Sequence, residues 1–186
     1  MAHINVPPNV PGIRSLVMFR PETGKPLYDL AQVLLRGDSP LTPAERELIA
    51  THVSARNNCM FCMSSHAAAA RELYGEDRAI VDSVIKDVGS ASLTPKMRAL
   101  LTIAGKVQQS GKEVQPVDIE IARQHGATDR DIHDTVLIAA AFSMFNRYVD
   151  GLASYTPMDP AAYAEMGKRL ATQGYTVPQP QTQPQH

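Results

Sequence analysis

"LTPAERELIATHVSARNNCMFCMSSHAAAAREL", residues 41–73, contains both cysteines of the 186-residue chain, at positions 59 and 62, with His66 four residues past the second. Its first half opens with the chemistry of a helix start. Thr42 suits the N-cap, Pro43 suits the first helical position, and Glu45 three residues after the cap completes a capping box. The pattern predicts one helix over 43–57 and a second beginning at Cys59, with Asn58 as its N-cap and Gly75 as its stop. Small residues at Ala50, Ser54, Ala67 and Ala70 would let the two helices pack closely as an antiparallel hairpin.

The same periodicity runs through most of the chain. Leu27, Leu30 and Leu34 mark a helix over 26–37, and Ile80, Val81, Val84, Ile85 and Val88 mark another over 77–89. Further helices fit 95–109, 117–125, 129–153 and 159–172, while runs of alternating β-branched residues bounded by turns are missing. The fold class expected is all-α. An offset of 52 residues aligns Leu41-Thr42-Pro43, Arg46 and Leu48 with Leu93-Thr94-Pro95, Arg98 and Leu100, and Asp77-Arg78 with Asp129-Arg130. Over positions 41–84 it gives 12 identities in 44, against about three expected from ordinary composition. This predicts an internal duplication of a helical unit, with copies at about 41–92 and 93–153. At that offset Glu47, Cys59, Cys62 and His66 fall opposite Ala99, Gly111, Val114 and Asp118, so the reactive groups belong to the first copy. The expected domain is 13–173, with an extended Pro-containing arm at 1–12 and a disordered Pro/Gln-rich tail at 174–186.

Composition excludes several classes of function. A formal net charge of −1 gives no electrostatic reason to invoke nucleic acid or an anionic membrane. No apolar run approaches the ~20 residues a membrane-spanning helix needs, and the N-terminus lacks the basic and apolar regions of a signal peptide. The compartment expected is the cytoplasm, where thiols stay reduced, so a structural disulfide staple is disfavoured. Zinc could use Cys59, Cys62 and His66, with His52 or Glu47 as a fourth ligand, but no second Cys or His pair follows to close such a site. Plain packing of two small thiols is the other alternative.

The helical hairpin makes a redox site possible. With a rise of ~1.5 Å per residue, His66 lies ~12 Å down the second helix from Asn58 and Glu47 ~16 Å down the first. Cys62 precedes His66 by four residues and shares its face. A thiol, a histidine to take its proton and a carboxylate to orient the histidine form the arrangement common to many covalent catalysts. Cys59 and Cys62, three apart in a first helical turn, also suit a disulfide of ordinary Cα spacing, about 5–6 Å. Which sulfur attacks stays open on these grounds: Cys59 sits nearer the helix N-terminus, whose dipole favours a thiolate, whereas Cys62 is within reach of His66.

Glu47, eleven intervening residues, Cys59-Met60-Phe61-Cys62 and then His66 resemble the motif of the AhpD-like alkylhydroperoxidases of the carboxymuconolactone decarboxylase superfamily. The run 41–66 is most similar to the peroxidase-related branch. The resemblance implies an AhpD-like helical domain and a thiol-dependent hydroperoxide reductase. In it Cys62 is the peroxidatic thiolate, Cys59 resolves it as a Cys59–Cys62 disulfide, His66 transfers the proton and Glu47 orients the histidine. It further implies no bound cofactor, an external dithiol, lipoyl or thioredoxin-like reductant, and a homo-oligomer built of trimers or a multiple. Lactone chemistry, the superfamily's other activity, generally goes with absence of the Cys pair. Phe61 stands where the best-known members carry a histidine between the cysteines, so it cannot move a proton there. Phe61, Met63 and Asn146 are the candidate substrate-pocket residues, while His52, His125 and His133 have no motif around them and are expected to be ordinary histidines.

Overall fold

The helix start expected at Thr42 is made. In the computed structural model, which describes residues 2–176, the Thr42 hydroxyl accepts from the Glu45 N–H at 3.2 Å. The Glu45 carboxylate in return accepts from the Thr42 N–H at 2.8 Å. A box of this kind satisfies two orphan donors and stabilises a helix by about 1 kcal/mol. The elements are α1 (Ile13–Phe19), α2 (Pro21–Arg36), α3 (Pro43–Arg56), α4 (Met60–Tyr74), a 3₁₀ turn (Gly75–Arg78) and α5 (Ala79–Lys86). They continue with α6 (Pro95–Gln109), a second 3₁₀ turn (Gly111–Glu113), α7 (Pro116–Gln124), α8 (Asp129–Gly151) and α9 (Pro160–Gln173). The fold is all-α, with no strand among the described residues, and none of its helices is long and apolar enough to cross a membrane.

Helix α3 is buried on nearly every side, from Ala44 through Ser54. Leu48, Ile49 and Val53 pack into the core with Leu100, Leu101 and Ile103 of α6 and Ile138 and Phe142 of α8. On its other side α4 presents Ala67, Ala68, Ala69 and Ala70, all buried. The alanines bring α4 within reach of both α3 and α9. At the α4–α9 crossing a Cβ on Gly167 would stand 2.6 Å from the Ala68 backbone, so this close approach requires glycine.

The α3–α4 turn differs from expectation, and the difference matters for the site. Asn58 is not an N-cap: it adopts a left-handed conformation, φ 57°, which asparagine tolerates better than most residues. The Cys59 N–H donates to Ser54 O and the Asn58 N–H to Ala55 O, both at 3.0 Å, which is a Schellman motif closing α3. Cys59 therefore becomes the N-cap of α4, and Cys62 falls at its third position. Other boundaries also shift. Helix α1 lies in a stretch where no helix was expected, and α2 begins at Pro21 rather than 26. It continues through Pro26, giving up one intrahelical bond. Residues 75–78 form a 3₁₀ turn, which shortens the helix expected over 77–89 to α5.

Residues 52 apart do matching work in several places. Arg46 in α3 donates to Leu34 O and Gly37 O, and Arg98 in α6 donates to Val88 O and Gly89 O. Each guanidinium ties its helix to carbonyls of the segment leading into it. Thr42 and Thr94 likewise both cap, with Pro43 and Pro95 following.

The N-terminal arm lies along its own domain. The His3 N–H donates to Leu152 O and the Gly12 N–H to Tyr155 O. At the other end, Gly174 and Tyr175, the first residues of the expected tail, are buried, with Tyr175 drawn inside. Residues 177–186 of the expected tail lie outside the described residues.

Candidate active site

Glu47 projects from the buried face of α3 with no exposure to solvent. A carboxylate there survives only if its lone pairs and charge are met. Its Oε2 accepts from His66 Nδ1 at 2.7 Å, and its Oε1 accepts from Arg36 at 2.6 Å and from the Tyr175 hydroxyl at 2.6 Å. Burial alone would raise the Glu47 carboxyl pKa. The charge and hydrogen bond of His66, with Arg36 and Tyr175, reverse that and hold it below the usual carboxylate value. Arg36 is fixed in turn by Leu35 O and Leu170 O, so α2, α3 and α9 meet at this carboxylate.

The pairing also fixes the histidine. With Nδ1–H donating to Glu47, a neutral His66 carries its lone pair on Nε2 and can accept a proton there. Its ring is held edge-on by Phe142, centroids 4.5 Å apart, and stacks beside Tyr175 at 5.9 Å. Cys62, His66 and Phe61 line one cavity of about 60 Å³ between α1, α2, α4, α8 and α9, with Tyr28, Phe142, Phe145, Met166 and Tyr175 among its walls. That is room for a few water molecules beside a reactive thiol.

The two cysteines are free and buried but not equivalent. Cys62 faces the cavity, whereas Cys59 lies behind it with no exposure. The adjacent Cys62 sulfur, followed by burial, pushes the Cys59 thiol far up, so Cys59 holds its proton. Against the helix-dipole argument for Cys59 stands its complete burial away from the cavity that Cys62 lines. Cys62, at the third helical position, still lies within the first turn where the dipole acts.

Of the pocket residues expected, Phe61 lines the cavity and two do not. Met63 faces a separate surface groove with Met60 and Met158. Asn146 is buried against the α3–α4 turn: it donates to Ser54 Oγ at 3.1 Å and accepts from Asn57 Nδ2 at 2.8 Å, which clamps the turn that sets Cys59. Neither position could be told from the cavity wall by helical spacing alone. His52 is buried beside Arg56, and burial with that positive charge lowers its pKa to about 4, so it stays neutral. His133 is exposed next to Asp134, and His125 caps α7. Among the described residues no group of three or more His, Cys, Asp or Glu side chains is placed to hold a metal ion, so the zinc alternative has no closed ligand set there.

Arg36 and Tyr175 went unrecognised in the sequence. Arg36 reads as an ordinary cation in the last turn of a helix, and Tyr175 sits in a stretch whose composition looks like a tail. A glycine at a helix end followed by a lone aromatic was the available signal. Gly174 has φ 67°, and a Cβ there would meet Gln32 Oε1 at 2.4 Å. This left-handed turn lets the Tyr175 N–H reach that same oxygen at 2.7 Å and sends the ring inward.

Tyr175 is a positioning residue by this geometry. Burial and the neighbouring Glu47 charge hold its phenol well above the ordinary value, so it remains a donor. Removing that donor in Tyr175→Phe is expected to cost about 2 kcal/mol of stability. It should also let the Glu47 carboxyl rise towards its ordinary pKa, moving the acid limb of any Glu47-dependent activity to higher pH. A pH–rate profile recorded with a thermal melt checks this. A purely structural role would lower the melting temperature and leave the acid limb in place.

Residues 21–106 match the sequence pattern of the Carboxymuconolactone decarboxylase family. The chain is similar in structure to an uncharacterized peroxidase-related protein from Silicibacter sp. TM1040, with TM-score 0.75 and 31% identity over 83% of this chain and 79% of that one. It is equally similar, at TM-score 0.75 and 31% identity over 86% of this chain and 82% of the other, to the alkylhydroperoxidase AhpD core of an uncharacterized peroxidase-related protein from Ralstonia eutropha JMP134. A protein of unknown function from Agrobacterium tumefaciens shares the fold, at TM-score 0.68 and 22% identity over 86% of this chain and all of its own. No curated protein matches the chain.

Proposed function

The chain belongs to the AhpD-like carboxymuconolactone decarboxylase superfamily, and from that premise we propose that it reduces hydroperoxides with the Cys59–Cys62 pair. The observation that carries the proposal is the division of labour in one cavity. Cys62 and a carboxylate-oriented His66 share its wall, while Cys59 is buried behind it.

The steps balance as follows. His66 Nε2 takes the Cys62 proton, directly or through one water in the cavity, and the thiolate attacks the outer oxygen of R–OOH. The S–O bond forms as the O–O bond breaks. The leaving alkoxide takes a proton and departs as ROH, leaving Cys62 as the sulfenic acid. The Cys59 thiol then attacks the Cys62 sulfur, its proton leaves with the hydroxyl as water, and the Cys59–Cys62 disulfide results. An external dithiol, of the dihydrolipoyl or thioredoxin class, returns two electrons and two protons by exchange and leaves as its own disulfide. Glu47 stabilises the imidazolium formed on the way without accepting its proton. Phe61 and the aromatic walls exclude bulk water and favour an organic over an inorganic peroxide. The same reading carries a homo-oligomer, trimeric or a multiple of three, with no resident cofactor.

The test is a mass-spectrometric thiol count of the fully reduced protein before and after one equivalent of cumene hydroperoxide. Loss of two hydrogens per chain, reversed by a dithiol, is expected. Two intact thiols after exposure would sink the peroxidase reading.

A further inference from the structure

We propose that Arg14 and Arg169 form a carboxylate-binding subsite on the Cys62 cavity, making the preferred oxidant an organic hydroperoxide that also carries an acid group. This rests on the hydroperoxide reading above and names the substrate class for it. The wall beside Cys62 is mostly apolar, yet two guanidiniums from different helices, Arg14 on α1 and Arg169 on α9, line it. Neither has a carboxylate within ion-pair distance among the described residues, and both are half-buried. The Arg14 Nε is fully buried with no hydrogen-bond partner.

Tyr28 of α2 lines the same cavity. Both positive charges act on its phenol, partly offsetting the burial that raises it to about 12, so the phenol keeps its proton and can donate. Its hydroxyl bonds no other described residue. Three donors from three helices thus line one mostly apolar cavity, with no hydrogen-bond acceptor for them among the described residues. Arg36, outside this cavity, differs in its charge pairing: Glu47 and two backbone carbonyls meet its terminal nitrogens, although its Nε, like that of Arg14, has no partner among the described residues.

Two half-buried cations on one mostly apolar cavity each give up part of their hydration. A bound carboxylate relieves both, and the planar guanidinium fork matches its two oxygens. Cys62 lines the same cavity, so a substrate anchored by its acid group would present its hydroperoxide end to the sulfur. Anchoring of this kind acts through orientation as well as affinity.

The experiment compares the para-carboxylate derivative of cumene hydroperoxide with its methyl ester, reading the second-order rate of Cys62 oxidation in a single turnover. The wild type is expected to react roughly ten-fold or more faster with the acid, an advantage that shrinks as ionic strength rises. The acid-to-ester ratio should fall towards one in R14M/R169M and stay above one in R14K/R169K. Taking each ratio within one protein cancels any general loss of activity, and the salt dependence needs no variant. A wild-type ratio of one or less, or a ratio that R14M/R169M leaves unchanged, overturns the subsite while leaving the peroxidase reading intact. If neither compound oxidises Cys62, the peroxidase reading falls and the subsite with it.

Discussion

Cys62→Ser is expected to abolish peroxide-driven oxidation, lowering its rate roughly 10³-fold or more, whereas Cys59→Ser should complete the first step and stop there. The asymmetry follows from where the two sulfurs sit. Cys62 lines the cavity with His66, and Cys59 is fully buried outside it. An unperturbed thiol has a pKa near 8.5 and is a few per cent thiolate at neutral pH, so a base within reach decides which cysteine reacts. Cys59→Ser should therefore accumulate one sulfenic acid per chain, trappable with dimedone, and fail to turn over with a dithiol. Iodoacetamide at neutral pH should alkylate Cys62 well before Cys59 in the wild type. A sulfenic acid trapped in Cys62→Ser and not in Cys59→Ser would reverse the assignment. It would mean that the cap position, and not the His66 cavity, governs reactivity.

Part of this site is written in local signals and part is not. The helices of the central hairpin were legible because their signals are local: Thr42 and Glu45 for the start of α3, Gly75 for the end of α4. The Glu47–His66 contact was legible too, since helical rise and a single tight turn fix how far each residue lies from Asn58. Asn58 at that turn is ambiguous in the sequence, because asparagine suits both an N-cap and a left-handed position and only the Schellman bonds decide between them. The rest of the site depends on packing between distant segments. Arg36 arrives from α2, Tyr175 from beyond α9, and Arg14 from a helix too short to show a period. Asn146 differs again: a polar residue on a buried helix face suits a pocket wall, yet its hydrogen bonds hold a turn together. Spacing within a helix says which residues share a face, and only the packing says what that face meets.

Glu47→Gln is expected to have the second large effect, on stability and activity together. Glu47 is a fully buried charge, and Arg36 opposite it is largely buried as well. Removing one member of such a pair leaves the other desolvated and uncompensated, a loss of about 3 kcal/mol given the carbonyl contacts Arg36 keeps. In a chain of this size that lowers the melting temperature by about 6–12 °C at neutral pH. The pH dependence has a definite sign. Because the native carboxyl pKa is held below the unfolded one, by His66, Arg36 and Tyr175 against the opposing effect of burial, the stability it contributes is complete above the unfolded value. That contribution is lost as pH falls through the depressed native value. The gap between wild type and Glu47→Gln should therefore be widest near neutrality and close in acid, which melts recorded from pH 7 down to about pH 3 would follow. Activity should respond separately: glutamine cannot stabilise the His66 imidazolium, so Cys62 oxidation slows by about 10²-fold or more even where the variant is fully folded. A variant as stable as the wild type at neutral pH would mean that the charge of Arg36 is met elsewhere. A folded variant with unchanged oxidation would remove Glu47 from the proton path and leave Cys62 to ionise without it.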